Sequence, residues 1–262
     1  MKRIIKIPVL ALLYAFYKAV QWIYREKEAA VLMYHSIGNN DYDFTVRPEV
    51  FERQIKYLKD NRFKFLKLSD IGGLIEGTIM PEKGVALTFD DGYKDFYEIA
   101  LPILRKYGAS AILFIHADRR SDNLENNLSL MSWEDVKSAK ENGMEIGSHT
   151  YSHPNLKEAG EDEMKFEIDQ SEEVFLEKLG EIPKVIAYPG GKFNEKVIAT
   201  FEKRGYQLGF TIDRGLILKG NSPFRIKRNG VEKRTSFLEF KTRVSGANHW
   251  YESLINLVKN KK

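Results

Sequence analysis

Cysteine is absent from this sequence of 262 residues. Disulfide bridges, thiolate nucleophiles and cysteine-ligated zinc modules are therefore excluded. The absence of cysteine is compatible with both a reducing and an oxidising compartment. Proline is sparse, at eight residues, and no stretch rich in proline, glycine and serine divides the chain. The sequence therefore favours one folded domain over two domains joined by a linker.

An excess of charge of one sign is also missing. The 41 basic residues are nearly balanced by 37 acidic ones, which leaves a net charge of +4. A nucleic-acid-binding protein usually concentrates its basic residues in one block or on one face, and the sequence contains no such block. We therefore expect no nucleic-acid partner. With 43% hydrophobic residues, the chain has the composition of a globular protein with a core.

Long apolar runs are missing everywhere except at the N-terminus. Three basic residues precede the apolar stretch 7–24, which is interrupted only by Lys18 and Gln21. As a helix this stretch would reach about 27 Å, close to the ~30 Å thickness of a hydrocarbon core. The preceding positive charge predicts that the rest of the chain lies outside the cytoplasm, and no small-residue cleavage site follows. The sequence thus predicts an uncleaved membrane anchor over residues 1–28 and a cell-envelope location, with a helix lying on the membrane surface as the alternative.

Beyond residue 28, short apolar runs alternate with amphipathic stretches of helical period. This alternation predicts an α/β fold with a mainly parallel sheet, either a barrel or an open sheet. Of the two we expect a distorted (β/α) barrel of about seven parallel strands over residues 29–248. Residues 249–262 are predicted to form a basic amphipathic tail. The predicted strands are Ala30–Tyr34, Phe63–Leu68, Gly84–Phe89, Ala111–Ile115, Met144–Ser148, Lys184–Tyr188 and Gln207–Ile212. The predicted helices are Pro48–Asn61, Asp95–Tyr107, Ser132–Asn142, Asp162–Leu179, Asn194–Arg204 and the last part of Ser236–Lys259.

Two carboxylates, Asp90 and Asp91, directly follow the predicted strand Gly84–Phe89. Adjacent carboxylates in a desolvated place cannot both stay ionised cheaply without a cation or hydrogen-bond donors. A metal bound by one and proton transfer by the other would resolve the conflict. Asp-Gly is also a common turn pair, so a solvated turn is the alternative.

Two histidines, His149 and His153, follow the predicted strand Met144–Ser148. Imidazoles four residues apart can converge on one ion, and a carboxylate from elsewhere would complete a set of two histidines and one aspartate. Hydrogen-bonded loop histidines are the alternative. In parallel α/β folds both clusters would meet at the carboxyl edge of the strands, which predicts a divalent metal site with Zn²⁺ favoured.

The stretch TFDDG at 88–92 together with SHTYSHP at 148–154 resembles the first two motifs of the polysaccharide deacetylase family, whose members share a NodB-type domain. The resemblance covers about residues 31–230. It is closest to the branch with a Tyr-His near the first strand, which includes deacetylases of exported N-acetylglucosamine polymers. Further matching segments are LMYHSI at 32–37, PEVFERQIKYLK at 48–59, GASAILFI at 108–115, AYPGGKFN at 187–194 and FRIKR at 224–228.

The resemblance implies metal-dependent hydrolysis of the N-acetyl amide of an N-acetylated polysaccharide or envelope glycan, with release of acetate. Asp91, His149 and His153 would bind the metal, and Asp90 would take a proton from the metal-bound water as general base. Gly190, in the third motif, would offer its backbone N–H to the oxyanion. Two other functions remain open: hydrolysis of another amide, such as a formyl group on a lipid-linked sugar, and non-catalytic glycan binding.

The sequence departs from the family's pattern at several positions. Ala187 stands where many members have an arginine that orients the base, and Gly190 stands where an aromatic residue follows the proline. Arg225 or Arg228 could replace the missing arginine, or both could be surface charges. The histidine of the fifth motif, the family's usual general acid, has no match at its place. His35, at the end of the first predicted strand, is the best substitute for this acid. It could also position the substrate, or be a hydrogen-bonded histidine at the rim without a catalytic role.

Overall fold

A curled, mainly parallel β-sheet organises the part of the chain that the computed structural model describes. That part comprises residues 28–79, 81–118 and 128–246, with Pro8, Leu12, Tyr14 and Ala15 of the N-terminal segment. The strands are β1 (Ala29–Tyr34), β2 (Ser36–Ile37), β3 (Thr45–Val46), β4 (Lys64–Phe65), β5 (Gly84–Asp90), β6 (Ile112–Ile115), β7 (Glu145–Ser148), β8 (Val185–Ala187), β9 (Leu208–Phe210), β10 (Leu216–Ile217) and β11 (Asn229–Gly230). Seven of them follow one another across the sheet in the order β10-β1-β5-β6-β7-β8-β9.

Helices connect the strands and pack against the sheet. They are α1 (Pro48–Asp60), α2 (Leu68–Glu76), a π-helical turn (Phe96–Ala100) that leads into α3 (Leu101–Tyr107), α4 (Trp133–Glu141), α5 (Glu161–Leu179), a 3₁₀ turn (Pro189–Gly191), α6 (Glu195–Lys203) and α7 (Phe237–Ser245). The helical pattern in the sequence therefore predicted α1 and α3 to α6 closely. It missed α2, a short helix that contains the adjacent glycines Gly72 and Gly73, because glycine weakens a helical pattern.

The two faces of the sheet belong to different parts of the core. In β1, Ala30, Leu32 and Tyr34 pack with the helices, whereas Ala29 and Val31 belong to a second cluster inside the curl. Side chains alternate along a strand with period two. In β5 this alternation sends Asp90 to the same side as Ala86, towards the inside of the curl. A polar residue thus ends a strand whose every residue is buried.

The sheet is a half-barrel rather than a ring of seven parallel strands. Strands β1, β5, β6, β7, β8 and β9 are parallel, whereas β10, which the sequence did not predict, pairs antiparallel with β1. The predicted strand Phe63–Leu68 is reduced to the two-residue β4, which pairs parallel with β5 beside the main strand order. Between β9 and β1 the gap is spanned by the segment 226–231. Ile226 N donates to Gly209 O at 2.9 Å, and Val231 N donates to Met33 O at 2.8 Å. This irregular segment, which we call the seam, forms hydrogen bonds with both edges.

The predicted membrane anchor, residues 1–28, lies almost wholly outside the described residues. Within the described ranges, none of the helices is both long and apolar enough to cross a membrane. The predicted tail 249–262 also lies outside the described residues. The helix α7 lies in the first part of Ser236–Lys259, whereas the predicted helix in the last part of that stretch lies outside the described residues. Both terminal assignments therefore stay predictions.

Candidate active site

The two predicted clusters meet at the carboxyl edge of the sheet. Asp90 is the last residue of β5, and His149 directly follows β7. The register of the parallel strands carries them to one level, since Asp90 pairs with Phe114 in β6 and Ile115 pairs with Ser148 in β7. The sequence predicted this meeting because both clusters directly follow predicted strands.

Asp91, His149 and His153 form a set that could hold a metal ion. Asp91 Oδ1 lies 3.6 Å from His149 Nε2 and 3.9 Å from His153 Nε2, and the three ligand atoms lie within 4.8 Å of one another. Two imidazoles and one carboxylate are a donor set suited to Zn²⁺ and related divalent ions, with room for further ligands. The residues present therefore fit a divalent metal.

The backbone around this set is held in an uncommon conformation. Asp91, Thr150 and His153 have φ values of 69°, 68° and 63°, in the left-handed region that residues other than glycine rarely adopt. Such backbone persists only where the surroundings fix it, and it is frequent at functional sites. Here it turns the carboxylate and both imidazoles towards one point.

A hydrogen bond and burial prepare His149 for the role of a ligand. Its Nδ1 lies 2.7 Å from Ala187 O, so this nitrogen carries the proton and donates it, which leaves the Nε2 lone pair facing Asp91. Burial lowers the pKa of His149 to about 4. The imidazole is therefore neutral near pH 7, the form that binds metals. Burial also works to raise the pKa of Asp91, but the charges of His35, His149 and His153 outweigh it and lower that pKa.

Arg228 is the partner of Asp90, and Arg225 is not. The Arg228 guanidinium donates from Nη1 to Asp90 Oδ1 at 2.6 Å and from Nη2 to Oδ2 at 2.8 Å, a bidentate pair. Its Nε donates to Thr211 O at 2.8 Å, and the side chain is fully buried. Arg225 points outward, with 45% of its side chain exposed, and pairs with Glu195. Arg228 thus replaces the arginine that is missing at Ala187. The alternative that these arginines are surface charges holds only for Arg225.

The ion pair keeps Asp90 charged despite its burial. Burial alone would raise the pKa of this carboxyl, but the Arg228 charge, with help from His149 and His35, brings it down to about 2. Arg228 is in turn held over the Phe114 ring, with its Cζ 5.5 Å from the ring centroid. At neutral pH a carboxylate therefore stands beside the possible metal site, able to accept a proton.

His35 and Gly190 lie at the rim of the same site. His35 follows β1 and is half-buried, and its charge contributes to lowering the pKa of both Asp90 and Asp91. Its Nδ1 is buried and has no hydrogen-bond partner among the described residues. Gly190 is exposed in the 3₁₀ turn after β8, at φ 55°, three residues beyond the carbonyl that holds His149. Both predicted rim residues are therefore near the cluster.

Glu167 is a residue of the site that sequence reasoning missed. From α5 its buried carboxylate accepts hydrogen bonds from Tyr151 N at 3.0 Å, Ser152 N at 2.8 Å and Ser152 Oγ at 2.5 Å. It thereby fixes the loop between the two histidines. In the sequence Glu167 is one of many acidic residues in a charged helix, so nothing local distinguishes it.

A chain of polar contacts fastens the loop that follows His35. Thr45 Oγ1 donates to Asn40 Oδ1 at 2.5 Å, Asn40 Nδ2 donates to Ser36 Oγ at 3.2 Å, and Ser36 Oγ donates to Asp95 Oδ2 at 2.5 Å. The other oxygen of Asp95 is buried and has no hydrogen-bond partner among the described residues. Burial raises the pKa of Asp95 to about 6, and the hydrogen bond from Ser36 opposes that rise.

The raised pKa of Asp95 predicts a pH-dependent stability. The protonated Asp95 carboxyl is favoured in the folded state, where its pKa is about 6, over the unfolded state, where its pKa is lower. The free energy of unfolding of the wild type therefore falls as the pH rises towards 6 and the carboxyl ionises. Asp95→Asn has no carboxyl at this position and does not lose this free energy. Between pH 5 and pH 7.5 the free energy of unfolding of the variant should therefore rise relative to wild type by about 1 kcal/mol. Urea unfolding at the two pH values measures this difference.

The control for this prediction is Asp60→Asn, which removes a carboxylate with 57% of its side chain exposed on α1. Its difference from wild type should change less between the two pH values than that of Asp95→Asn. Equal changes in both variants would contradict the assignment of the pH effect to the buried carboxyl.

The chain is similar to several known proteins. The family model for polysaccharide deacetylase matches residues 78–209. YxkH of Bacillus subtilis (strain 168), whose name places it among the polysaccharide deacetylases, is 32% identical over 210 residues, which are 79% of this chain and 73% of that protein.

The poly-beta-1,6-N-acetyl-D-glucosamine N-deacetylase of Staphylococcus aureus (strain MRSA252) is 27% identical over 229 residues, covering 78% of this chain and 79% of the relative. Among solved structures, the Streptococcus pyogenes deacetylase PplD in complex with acetate has a TM-score of 0.74 at 27% identity and covers 83% of this chain and 98% of its own.

Proposed function

Because this chain belongs to the polysaccharide deacetylase family, we propose that it is a metal-dependent hydrolase of the N-acetyl amide in an N-acetylated glycan and releases acetate. One observation carries the proposal: Asp91, His149 and His153 converge within 4.8 Å beside the ionised Asp90. An amide is a poor electrophile, so its hydrolysis needs polarisation of the carbonyl, an activated water and an acid for the leaving nitrogen. The site contains a candidate group for each of these three requirements.

Asp91, His149 and His153 are proposed as the metal ligands, with Zn²⁺ as the favoured ion because two of the three ligands are imidazoles. A divalent ion held there supplies Lewis acidity, which polarises the acetyl oxygen and makes water a stronger acid. The hydrogen bond of His149 to Ala187 O keeps its ring oriented for this role.

The remaining steps fall to protein groups around the ligands. Asp90, kept ionised by Arg228, takes the proton of the attacking water as general base. The backbone N–H of Gly190 stabilises the negative charge that develops on the acetyl oxygen. His35, at the rim, protonates the departing amine, without which the C–N bond does not break.

An N-acetylglucosamine polymer is the substrate class that we favour. The support is the relative in Staphylococcus aureus, whose name states that it acts on poly-beta-1,6-N-acetyl-D-glucosamine. Hydrolysis of another amide, such as a formyl group on a lipid-linked sugar, would use the same metal and base. A non-catalytic glycan-binding protein would have no need of a buried bidentate ion pair at Asp90.

The test is acetate release from a β-1,6-linked N-acetylglucosamine pentamer, with and without metal. We expect the purified protein to release acetate, treatment with a chelator to lower the rate by about 100-fold or more, and Zn²⁺ to restore it, since hydrolysis of the amide depends on the Lewis acid. Enzymatic measurement of free acetate gives the rate.

Release of formate from an N-formyl sugar in place of acetate would favour the alternative amide. Binding of the pentamer without release of acetate or formate, in the presence of each of several divalent metals, would favour the binding protein. A rate that is unchanged after complete removal of metal would contradict the proposal.

The location is proposed on sequence alone. Basic residues before the apolar stretch 7–24 support a membrane anchor over residues 1–28, with the catalytic domain outside the cytoplasm in the cell envelope. A glycan of the cell envelope would be accessible from that position.

A further inference from the structure

Phe44 presents an aromatic ring at the mouth of the candidate active site. Its ring centroid lies 4.9 Å from that of His35, and 37% of the residue is exposed. Towards the acidic pair, Tyr42 lies 5.3 Å from Phe44 and 6.1 Å from Tyr93. Tyr93 comes two residues after Asp91 in the chain, so three aromatic rings connect the segment that follows the acidic pair with the ring of His35.

The loop that carries Phe44 is held in place on both sides. The next residue, Thr45, is buried, and its side chain belongs to the polar chain that ends at Asp95. Thr45 N donates to Tyr42 O at 3.0 Å, and Lys233 N donates to Asp43 O at 3.1 Å. The Phe44 ring is therefore exposed on a fixed backbone, an arrangement that lowers the entropic cost of binding a ligand against it.

Exposure of one aromatic ring is common on protein surfaces and alone indicates no ligand. Phe44 differs because its ring packs on His35, a half-buried imidazole whose charge acts on Asp91. Ligand sites typically join an apolar surface to a few polar groups that set orientation. The ring and the imidazole together have that composition.

A pyranose ring matches this surface chemically. It carries C–H groups on its faces and hydroxyl groups around its edge. The C–H groups pack against the electron-rich face of an aromatic ring, while the hydroxyl groups need polar partners such as an imidazole nitrogen. Gly190, in the turn after β8, has no side chain that could supply such a face.

We propose that Phe44 and Tyr42 form a binding subsite for a sugar ring of the glycan, next to the ring whose acetamido group reaches the metal ligands. The proposal rests on the proposed function, since the glycan is its occupant. The reacting acetamido group must lie at Asp91, His149 and His153. His35 is a neighbour of both sites, since its ring packs on Phe44 and its charge lowers the pKa of Asp91. A sugar ring stacked on Phe44 is therefore the neighbour of the reacting ring. The subsite would make the affinity depend on the length of the glycan.

The test compares wild type with Phe44→Ala and Phe44→Trp, using the pentamer of N-acetylglucosamine and the single sugar. Calorimetry should show that Phe44→Ala raises the Kd for the pentamer about fivefold, as expected for loss of one stacking contact. Phe44→Trp, which keeps an aromatic face, should bind within about twofold of wild type. Binding of the single sugar, which occupies one subsite, should change less than binding of the pentamer in Phe44→Ala.

Leu176→Ala is the control, because Leu176 is exposed to 53% on α5 and far along the chain from the loop; it should leave the Kd unchanged. An unchanged Kd for the pentamer in Phe44→Ala would overturn the subsite. A lower kcat with an unchanged Kd would also overturn it, since Phe44 would then act through His35.

The proposed function and the subsite can fail separately. If wild type binds the pentamer through Phe44 but releases no acetate, the deacetylase proposal fails and the subsite stands. If wild type releases acetate and Phe44→Ala does so with unchanged KM and Kd, only the subsite fails. If wild type neither binds nor hydrolyses the pentamer, both fail.

Discussion

Asp90→Asn is expected to lower the rate of acetate release by about 10³-fold, because a general base contributes roughly 10²- to 10⁴-fold and an amide cannot accept the proton. The asparagine has nearly the same shape as the aspartate, so substrate access should not change. Asp91, His149 and His153 keep their positions as ligands, so the variant should bind the same amount of metal. Acetate release and metal content, measured on the same preparation, check both expectations.

The substitution also leaves the buried Arg228 facing a neutral amide, which lowers stability. Activity is therefore measured well below the unfolding temperature of the variant. A variant that is folded, carries its metal and retains wild-type activity would show that Asp90 is not the base. A variant that loses its metal would show instead that Asp90 contributes to the ligand set.

Arg228→Met is expected to lower the free energy of unfolding by about 3–5 kcal/mol, because removal of one partner of a buried ion pair leaves the other charge uncompensated. Arg228 is fully buried and forms two of its hydrogen bonds with Asp90. The double variant Arg228→Met/Asp90→Asn removes both charges and should recover part of that loss. Urea denaturation of the four proteins gives the coupling energy between the two residues.

Arg225→Met is the matched control from the same FRIKR segment. Arg225 is largely exposed and pairs with Glu195 at the surface, and the change should alter stability by no more than about 0.5 kcal/mol. If Arg228→Met costs no more than Arg225→Met, or if the double variant is less stable than either single variant, the account of the ion pair is wrong.

Much of the fold could be predicted because its signals are local. The buried runs that became β1, β5 and β6 are continuous apolar stretches, as expected for strands covered on both faces. The acidic pair and the two histidines could be placed together because the carboxyl ends of parallel strands share one edge.

The parts that were missed depend on contacts between residues that are distant in the sequence. Arg225 and Arg228 have the same chemistry and lie three residues apart, and only the path of the seam decides which of them enters the curl. The role of Glu167 depends on which turn of α5 faces the loop between the histidines. The antiparallel β10 is two residues long, too short to show a strand pattern of its own.

Closure of the half-barrel by the seam has a consequence for the order in which the enzyme matures. Arg228 lies 138 positions after Asp90, so during synthesis the ribosome releases the acidic pair and both histidines well before their counter-charge. A nascent chain folded only as far as β9 would hold Asp90 without the guanidinium that keeps it ionised. In the proposed mechanism, in which the ionised Asp90 is the general base, hydrolysis would begin only after the segment 226–231 has docked across the gap.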